Sequence, residues 1–299
     1  MSWIKQGNIF NKHHAQVPVV DTYDKFYRIY YSTRVEGKSN SMFIDVDKKS
    51  FKVINESEKP ILELGDRGYF DWAGIMPTEI VTIGGIKYLY YIGWSNRKDV
   101  PYHNNLGLAI SNDNGETWRK FSQGPVLSTS SAEPGYVGTI AVLKEESKTH
   151  GWYLSCRKWE EINGIVEPFY DIKYALSHDD GLHWIPTNIT CIPLREGEGG
   201  ISKASVIKHE GKYKMWFSYR GTTDYRDGGP NSYRIGYAES KDAMAWDRKE
   251  DIELDISDEG WDSEMVAYPH VIVEKDKLIM FYNGNKFGST GIGYAIKNI

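Results

Sequence analysis

The sequence predicts an all-β fold, and more narrowly a five-bladed β-propeller that the N-terminal strand closes by joining the last blade. Two observations support this prediction: strand and turn signals alternate along the whole chain, and one sequence unit recurs at intervals of about 60 residues. Apolar residues at helical spacing are almost absent from the 299 residues. We expect a single domain that spans residues 1–299.

Short runs rich in Tyr, Trp, Ile and Val alternate with clusters of Gly, Asn, Asp and Ser. The clearest runs are YRIYYST (27–33), KYLYYIGWS (87–95), GWYLSCR (151–157), KYKMWFSYR (212–220) and KLIMFYNGN (277–285). Aromatic and β-branched residues between turn formers are typical of strands. Most of the 10 Trp, 21 Tyr and 10 Phe residues are therefore expected to pack within and between blades.

One motif occurs four times, as GLAIS from Gly107, KYALS from Lys173, GYAES from Gly236 and GYAIK from Gly293. The first three copies continue into an acidic turn and a tryptophan. Asp bonds the backbone of its own turn and Gly adopts positive φ, so each copy predicts a strand, a tight turn and a second strand. An apolar strand and an aromatic strand precede each copy, which gives a unit of four strands.

The last copy, GYAIKNI, stops where the other units would continue into a strand that carries tryptophan. A similar strand, SWIKQG, stands at residues 2–7. We expect this segment to complete the last blade, since closure removes an open sheet edge.

Composition excludes several classes of protein. With 36 Lys and Arg against 41 Asp and Glu, the net charge of -5 offers no basic footprint for nucleic acid. Two cysteines and no zinc-binding spacing predict neither a metal nor a cofactor. The N-terminus lacks a signal-like apolar region and no apolar run reaches about 18 residues, so we expect a cytoplasmic protein without a membrane span.

The mouth of the central channel is the expected functional surface, because the first strand of each blade lines it. Loops that lead into four of these strands carry carboxylates among glycines and aromatic residues. Cleavage of a glycosidic bond needs one carboxyl group to protonate the leaving oxygen and another to attack or to activate water. The predicted catalytic residues are Glu264 as the general acid, Asp71 or Glu133 as base or nucleophile, and Asp262 as an orienting residue.

Basic and aromatic residues are predicted near the same mouth. Cations at equivalent ends of second strands suggest that the ligand carries an anionic group, such as a phosphate, a sugar nucleotide or an acidic sugar. For any single cation, ion pairing with a neighbouring carboxylate is the alternative. The predicted binding residues are His14, Arg34, Trp72, Trp94, Arg157, Lys158, Trp159, Lys203, Arg220 and Tyr268.

Several long segments carry a resemblance to a known superfamily. They are GIMPTEIV (74–81), YLYYIGWSNRKDVPYHNNLGLAIS (88–111), RKWEEINGIVEPFYDIKYALS (157–177), MWFSYRG (215–221), YRIGYAES (233–240) and WDSEMVAYPHV (261–271). Across essentially the whole chain, the sequence resembles the five-bladed propeller glycosidases, which include arabinanases, β-xylosidases, invertases and levansucrases. It is most similar to a glycosidase-like branch whose genes occur in surface-polysaccharide regions. The resemblance implies a sugar-active enzyme and a carbohydrate ligand.

The chain departs from this superfamily at two positions. The hydrolytic members place an Asp directly before the Pro of the first inner strand, and another Asp in a second inner strand. Here Val17 precedes Pro18 and Met76 precedes Pro77. Acidic residues of the loops would have to replace the missing carboxylates, or the chemistry differs.

Three functions are consistent with these features. The first is cleavage or transfer of a glycosidic bond by carboxylate acid and base catalysis. The second is a biosynthetic reaction on an activated or phosphorylated sugar in polysaccharide assembly, which makes a sugar phosphate or nucleotide sugar the partner. The third, motivated by Val17 and Met76, is carbohydrate binding by a propeller that has lost catalysis.

Overall fold

The computed structural model describes residues 2–299, and nearly all of their regular structure is β, which confirms the all-β prediction. The N-terminal strand β1 spans Ile4–Phe10. The next eight strands form one sheet. They are β2 (Gln16–Thr22), β3 (Phe26–Val35), β4 (Lys38–Asp47), β5 (Val53–Glu56), β6 (Gly74–Ile83), β7 (Ile86–Ser95), β8 (His103–Ser111) and β9 (Arg119–Lys120).

A second sheet of eight strands follows, and then a sheet of four. The second sheet holds β10 (Val137–Lys144), β11 (Thr149–Ile162), β12 (Ile165–Ser177), β13 (Ile185–Ile192), β14 (Glu198–His209), β15 (Lys212–Gly221), β16 (Arg234–Ser240) and β17 (Trp246–Arg248). The third holds β18 (Ala267–Glu274), β19 (Lys277–Asn283), β20 (Ile292–Asn298) and the N-terminal strand β1. A short helical segment, α1, spans Asn285–Gly288 between β19 and β20.

Each large sheet is made of two antiparallel units of four strands that a single parallel bridge joins. The bridges pair Ser39 with Gly74 and Tyr170 with Gly200. The third sheet is a unit of the same kind, in which β1 pairs with β20 and places Ile4 opposite Ile296. Five four-stranded units therefore follow one another along the chain, and the N-terminal strand supplies the fourth strand of the last.

The first strands of the five units contact one another in a cycle. Strand β2 contacts β6, β6 contacts β10, β10 contacts β14, β14 contacts β18, and β18 contacts β2. Hydroxyl side chains link neighbours: the backbone N–H of Lys203 donates to Thr139 Oγ1 at 2.9 Å, and that of Val271 donates to Ser205 Oγ at 2.8 Å. Side chains of one first strand thus bond the backbone of another.

The second strand of each unit lies between its neighbours and is buried on both faces. Tyr30, Tyr90, Tyr153 and Tyr282 have no exposed surface, which accounts for the aromatic character of these runs. None of the helical segments within residues 2–299 has the length and apolarity that crossing a bilayer requires.

Candidate functional site

A cavity of about 330 Å³ opens at one end of the five first strands. Six of its lining residues are tyrosines: Tyr102, Tyr136, Tyr170, Tyr225, Tyr233 and Tyr268. Trp94, Arg34 and Arg226 also line it. Among the described lining residues there is no Asp or Glu, so the cavity wall combines aromatic rings and cations.

The cavity floor is built by the same irregularity in all five units. Each first strand breaks register with its second strand near the cavity, as a β-bulge does. The breaks fall between Gln16 and Val19, Pro77 and Glu79, Val137 and Ile140, Ser202 and Ser205, and Ala267 and His270. Bulges redirect side chains out of the sheet alternation, and here they place residues of five strands in one floor.

Three of these breaks contain a residue in the left-handed region. Val17, Lys203 and Tyr268 have φ values of 58°, 47° and 57°. This backbone conformation is costly for a residue with a Cβ, most of all for a β-branched one, and it clusters at functional sites. The neighbouring Gln16 and Ser202 line the cavity and are at least nine-tenths buried, and their Oε1 and Oγ atoms have no hydrogen-bond partner.

Side chains on or directly before the third strands of three units form the next ring. Asn104, Tyr170 and Tyr233 all line the cavity, and each stands three residues before a copy of the repeated motif. The repeat would therefore have identified these positions from the sequence, although the predicted site did not include them. The hydroxyl groups of Tyr170 and Tyr233 are hydrogen-bonded to each other.

Arg220 lies directly behind this tyrosine layer and is 1% exposed. Its Nε donates to the Tyr170 hydroxyl at 3.0 Å and its Nη2 to the Pro168 carbonyl at 2.7 Å. Its guanidinium carbon lies 3.8 Å from the centre of the Tyr225 ring. Within the described residues no carboxylate lies within 4.0 Å of it, so its acceptors are neutral groups.

Tyr225 joins the cavity to a buried carboxylate. Its hydroxyl donates to Glu167 Oε2 at 2.7 Å, and Glu167 is 2% exposed. Both terminal nitrogens of Arg226 donate to the same carboxylate, and one of them lies 3.1 Å from Oε2. Although burial opposes the change, the hydrogen bonds from Arg226 and Tyr225 lower the pKa of Glu167, which is therefore ionised at neutral pH.

Arg34 lines the cavity, and His14, which does not line it, lies near the Arg34 charge. Arg34 is exposed, lines the cavity, and has no carboxylate within 4.0 Å among residues 2–299. Burial and the nearby charge of Arg34 lower the pKa of His14, so its imidazole is neutral at pH 7. The buried Nε2 atom of His14 has no hydrogen-bond partner. The cavity thus has one exposed cation free to meet an anionic ligand.

The predicted catalytic carboxylates do not come together in this cavity. Asp71 has no exposed surface, and its Oδ2 lies 2.6 Å from Lys120 Nζ and 3.2 Å from the Tyr91 hydroxyl. Two other units repeat this arrangement of carboxylate, tyrosine and lysine. It joins Glu133 to Tyr153 and Lys173, and Asp262 to Tyr282 and Lys5. Each carboxylate is thereby held within its own unit.

Glu264 lies on the loop before β18 and is exposed. Its main chain is fixed, because its N–H donates to Asn285 Oδ1 at 2.8 Å and its carbonyl accepts from Arg234 at 3.3 Å. The side chain faces Gly228 and is not among the residues that line the cavity.

The predicted binding residues divide between the cavity and other surroundings. Arg34, Trp94 and Tyr268 line the cavity, whereas Trp159 packs behind it, with its ring 5.3 Å from that of Tyr102. Lys203 is fully buried among the first strands, where burial lowers the pKa of its ammonium group against the attraction of Glu79.

Three further predicted binding residues have partners outside the cavity. Arg157 pairs with Asp171, Lys158 pairs with Glu160, and the Trp72 ring lies 3.7 Å from Lys38 Nζ. Arg157 and Lys158 thus form ion pairs with neighbouring carboxylates, which is the alternative to binding an anionic ligand. In residues 2–299 no group of three His, Cys, Asp or Glu side chains has the arrangement of a metal site.

The fold is that of the propeller-type glycoside hydrolases. A thermostable family-43 glycoside hydrolase superposes with a TM-score of 0.73 at 17% identity, over 98% of this chain and 92% of that one. A Bombyx mori GH32 β-fructofuranosidase solved with sucrose gives a TM-score of 0.63 at 15% identity, over 96% of this chain and 62% of that one. No family model matches the sequence.

Sequence similarity places the chain in a family with proteins of Mycobacterium tuberculosis. The uncharacterised proteins MT1551 of strain CDC 1551 and Rv1502 of strain H37Rv are each 32% identical to it over 311 residues, which is 99% of both chains. The chain belongs to the same family as these two proteins.

Proposed function

We propose that the protein is a sugar-active enzyme whose central cavity binds a carbohydrate with an anionic group. The observation that carries this proposal is the lining of the cavity: six tyrosines and Trp94 beside Arg34, with no carboxylate among the described lining residues. Aromatic faces suit the apolar faces of sugar rings, and a guanidinium suits phosphate or carboxylate. The fold shared with glycoside hydrolases supports a carbohydrate as the ligand.

In this proposal the five units are the blades of one closed propeller domain that spans residues 1–299. The cyclic contacts among the first strands support closure. The pairing of β1 with β20 supports the part assigned to the N-terminal strand. The cavity then lies at the mouth of the central channel, where a ligand reaches side chains from every blade.

The charges near the cavity favour a sugar phosphate or a nucleotide sugar over a neutral glycan. Arg226 is balanced by Glu167, but Arg34 and Arg220 have no carboxylate within 4.0 Å among the described residues. A buried cation without a counter-ion is unfavourable unless an anion lies near it. An anionic substrate would supply that charge, which supports a biosynthetic reaction on an activated sugar.

A second candidate function is carbohydrate binding without turnover. Val17 and Met76, which occupy the positions where the hydrolytic superfamily carries Asp, both line the cavity. Apolar side chains there cannot attack an anomeric carbon or transfer a proton. Asp71, Glu133 and Asp262, proposed as catalytic residues, are engaged in buried pairs, and Glu264 stays a proposed general acid.

Isothermal calorimetry on the wild-type protein tests the proposal. The ligand panel comprises hexose 1-phosphates, nucleotide sugars, uronic acids and neutral oligosaccharides, each followed by an assay for products. Binding of an anionic sugar at least about tenfold tighter than its neutral counterpart is expected, since hydrogen bonds to charged groups contribute about 1.5–3 kcal/mol. Equal affinity for both, or no binding of any sugar, would overturn the anionic ligand. Binding without product would favour the second candidate.

A further inference from the structure

Tyr225 differs from the other tyrosines of the cavity in its hydrogen-bond partner. Among the described lining tyrosines, it is the one whose hydroxyl donates to a carboxylate, Glu167 Oε2 at 2.7 Å. Glu167 lies on β12, whereas Tyr225 and Arg226 lie on the segment between β15 and β16. Two neighbouring units thus meet at one ionised hydrogen-bond network beside the cavity.

The three side chains have the arrangement of an activated nucleophile. Such a site places a nucleophile within hydrogen-bond reach of a base that a third group orients. Here the Tyr225 hydroxyl donates to Glu167 at 2.7 Å, and Arg226 holds Glu167 through two hydrogen bonds. Tyrosine serves as the nucleophile in some glycosidases.

Burial raises the pKa of the Tyr225 hydroxyl, and the charges of Arg220 and Arg226 oppose this rise. The guanidinium carbons of Arg220 and Arg226 lie 3.8 Å and 4.2 Å from the centre of its ring. Preorganised cations in a site of low water content stabilise charge that develops during a reaction. Because the pKa of the hydroxyl is raised, its proton has to pass to Glu167 while the new bond forms.

We propose that Tyr225 is the catalytic nucleophile of a double-displacement reaction on a glycosyl phosphate, with Glu167 as its base and Arg226 as a positioning residue. This inference rests on the proposed function. It deepens that function by naming the leaving group, because the cavity lining offers no carboxylic acid to protonate a leaving alkoxide. A phosphate leaves as a stable anion without an acid, and Arg34 is placed to bind it.

In the first step, Tyr225 Oη attacks the anomeric carbon and its proton passes to Glu167 Oε2. The bond from the anomeric carbon to the phosphate oxygen breaks, and its electron pair leaves with the phosphate. In the second step, water or an acceptor hydroxyl attacks the same carbon and its proton goes to solvent. The bond to Oη breaks, and Glu167 returns its proton to the tyrosine.

Trapping of the covalent intermediate tests this step. Wild-type protein is incubated with 2-fluoro glycosyl fluorides, which slow the second displacement, and then analysed by intact-mass and peptide mass spectrometry. One glycosyl unit on Tyr225 is expected. Tyr225→Phe should not be labelled, and Glu167→Gln should be labelled about 100-fold more slowly, in line with the loss of a general base.

Tyr23→Phe is the matched control, because the Tyr23 hydroxyl bonds the Asn114 carbonyl outside the cavity. It should be labelled at the wild-type rate. Calorimetry with glucose, galactose and mannose 1-phosphates and their nucleotide esters is run on wild type and Tyr225→Phe, with thermal unfolding to establish that the variants fold. If wild type binds one of these glycosyl donors but carries no label, or carries it on another residue, Tyr225 is not the nucleophile and the proposed function stands. Binding of no donor overturns the proposed function as well.

Discussion

The hydroxyl of Tyr91 donates to Asp71 Oδ2 at 3.2 Å, and the two residues are 20 positions apart in the chain. Glu133 and Tyr153 have the same separation and the same hydrogen bond, as do Asp262 and Tyr282. Three units therefore repeat the same hydrogen bond. It joins the loop before the first strand to the middle of the second strand. A lysine neutralises the carboxylate in each case.

The repeated bond predicts that Glu133→Gln lowers the free energy of unfolding by roughly 3–5 kcal/mol, because removing one partner of a buried ion pair leaves the other charge uncompensated. Lys173 is that remaining charge. Urea unfolding of the two proteins measures the change, with the exposed Glu161→Gln as control. Unchanged stability together with lost turnover would instead assign Glu133 to catalysis.

Glu264 is expected to matter only for substrates with a basic leaving group. As a general acid it would protonate a leaving alkoxide, whereas phosphate leaves without a proton. Glu264→Gln should therefore slow the cleavage of alkyl glycosides about 100-fold and leave glycosyl phosphates unaffected. Comparison of kcat/KM for the two substrate classes measures this. Equal kinetics of wild type and variant on both classes would remove Glu264 from the mechanism.

Arg34 is predicted to discriminate anionic from neutral ligands. Arg34→Ala should weaken the binding of an anionic sugar about tenfold and that of its neutral counterpart little, since a charged hydrogen bond is lost in only one complex. The difference should shrink at high salt because Arg34 is exposed. Calorimetry at two ionic strengths measures it, with the exposed Arg119→Ala as the matched variant. An equal loss for both ligands would contradict an electrostatic contact.

Stability in acid should depend on Glu145, which links two units. Hydrogen bonds from Lys208 and Tyr213 lower the pKa of Glu145 to about 2 from 4.5. Because the folded-state pKa is the lower one, the stabilisation is complete above about pH 4.5 and is lost as the pH falls towards 2. Glu145→Gln should thus show a smaller fall in Tm between about pH 6 and pH 3 than wild type.

The control for this prediction is Glu146→Gln, a neighbouring exposed glutamate. Its Tm should fall with pH as that of the wild type does. An identical acid response of all three proteins would show that the Glu145 contacts do not contribute.

The all-β fold was predictable because its signals are local: aromatic strands, tight turns and a motif copied from Gly107 to Gly293. The same repeat also marks Tyr170 and Tyr233 as equivalent cavity positions. The hydrogen bond from Arg226 to Glu167 was not predictable, since the two residues are 59 positions apart and the repeated motif includes neither of them. Only the packing of one unit on the next brings these two residues together.

Carboxylates that recur at equivalent positions of the repeat can be either structural or catalytic, so the sequence alone does not assign their role. Residues such as Asp71 and Asp262 recur because each occupies the same place in its own unit, where it accepts a hydrogen bond from Tyr91 or Tyr282. A structural hydrogen bond repeated in each unit and a set of acids that converge on one channel produce the same sequence pattern. The structure distinguishes these two cases, because Lys120 pairs with Asp71 and Lys5 pairs with Asp262.

The register breaks of the first strands make the cavity floor modular. Each strand contributes one short segment that is decoupled from the ladder around it, so a substitution there changes the chemistry of the floor and not the pairing of the sheet. At Val17, where φ is 58°, an Asp would fit the backbone better than the native β-branched residue. New reactivity could therefore be introduced one segment at a time, on a framework whose stability is set elsewhere.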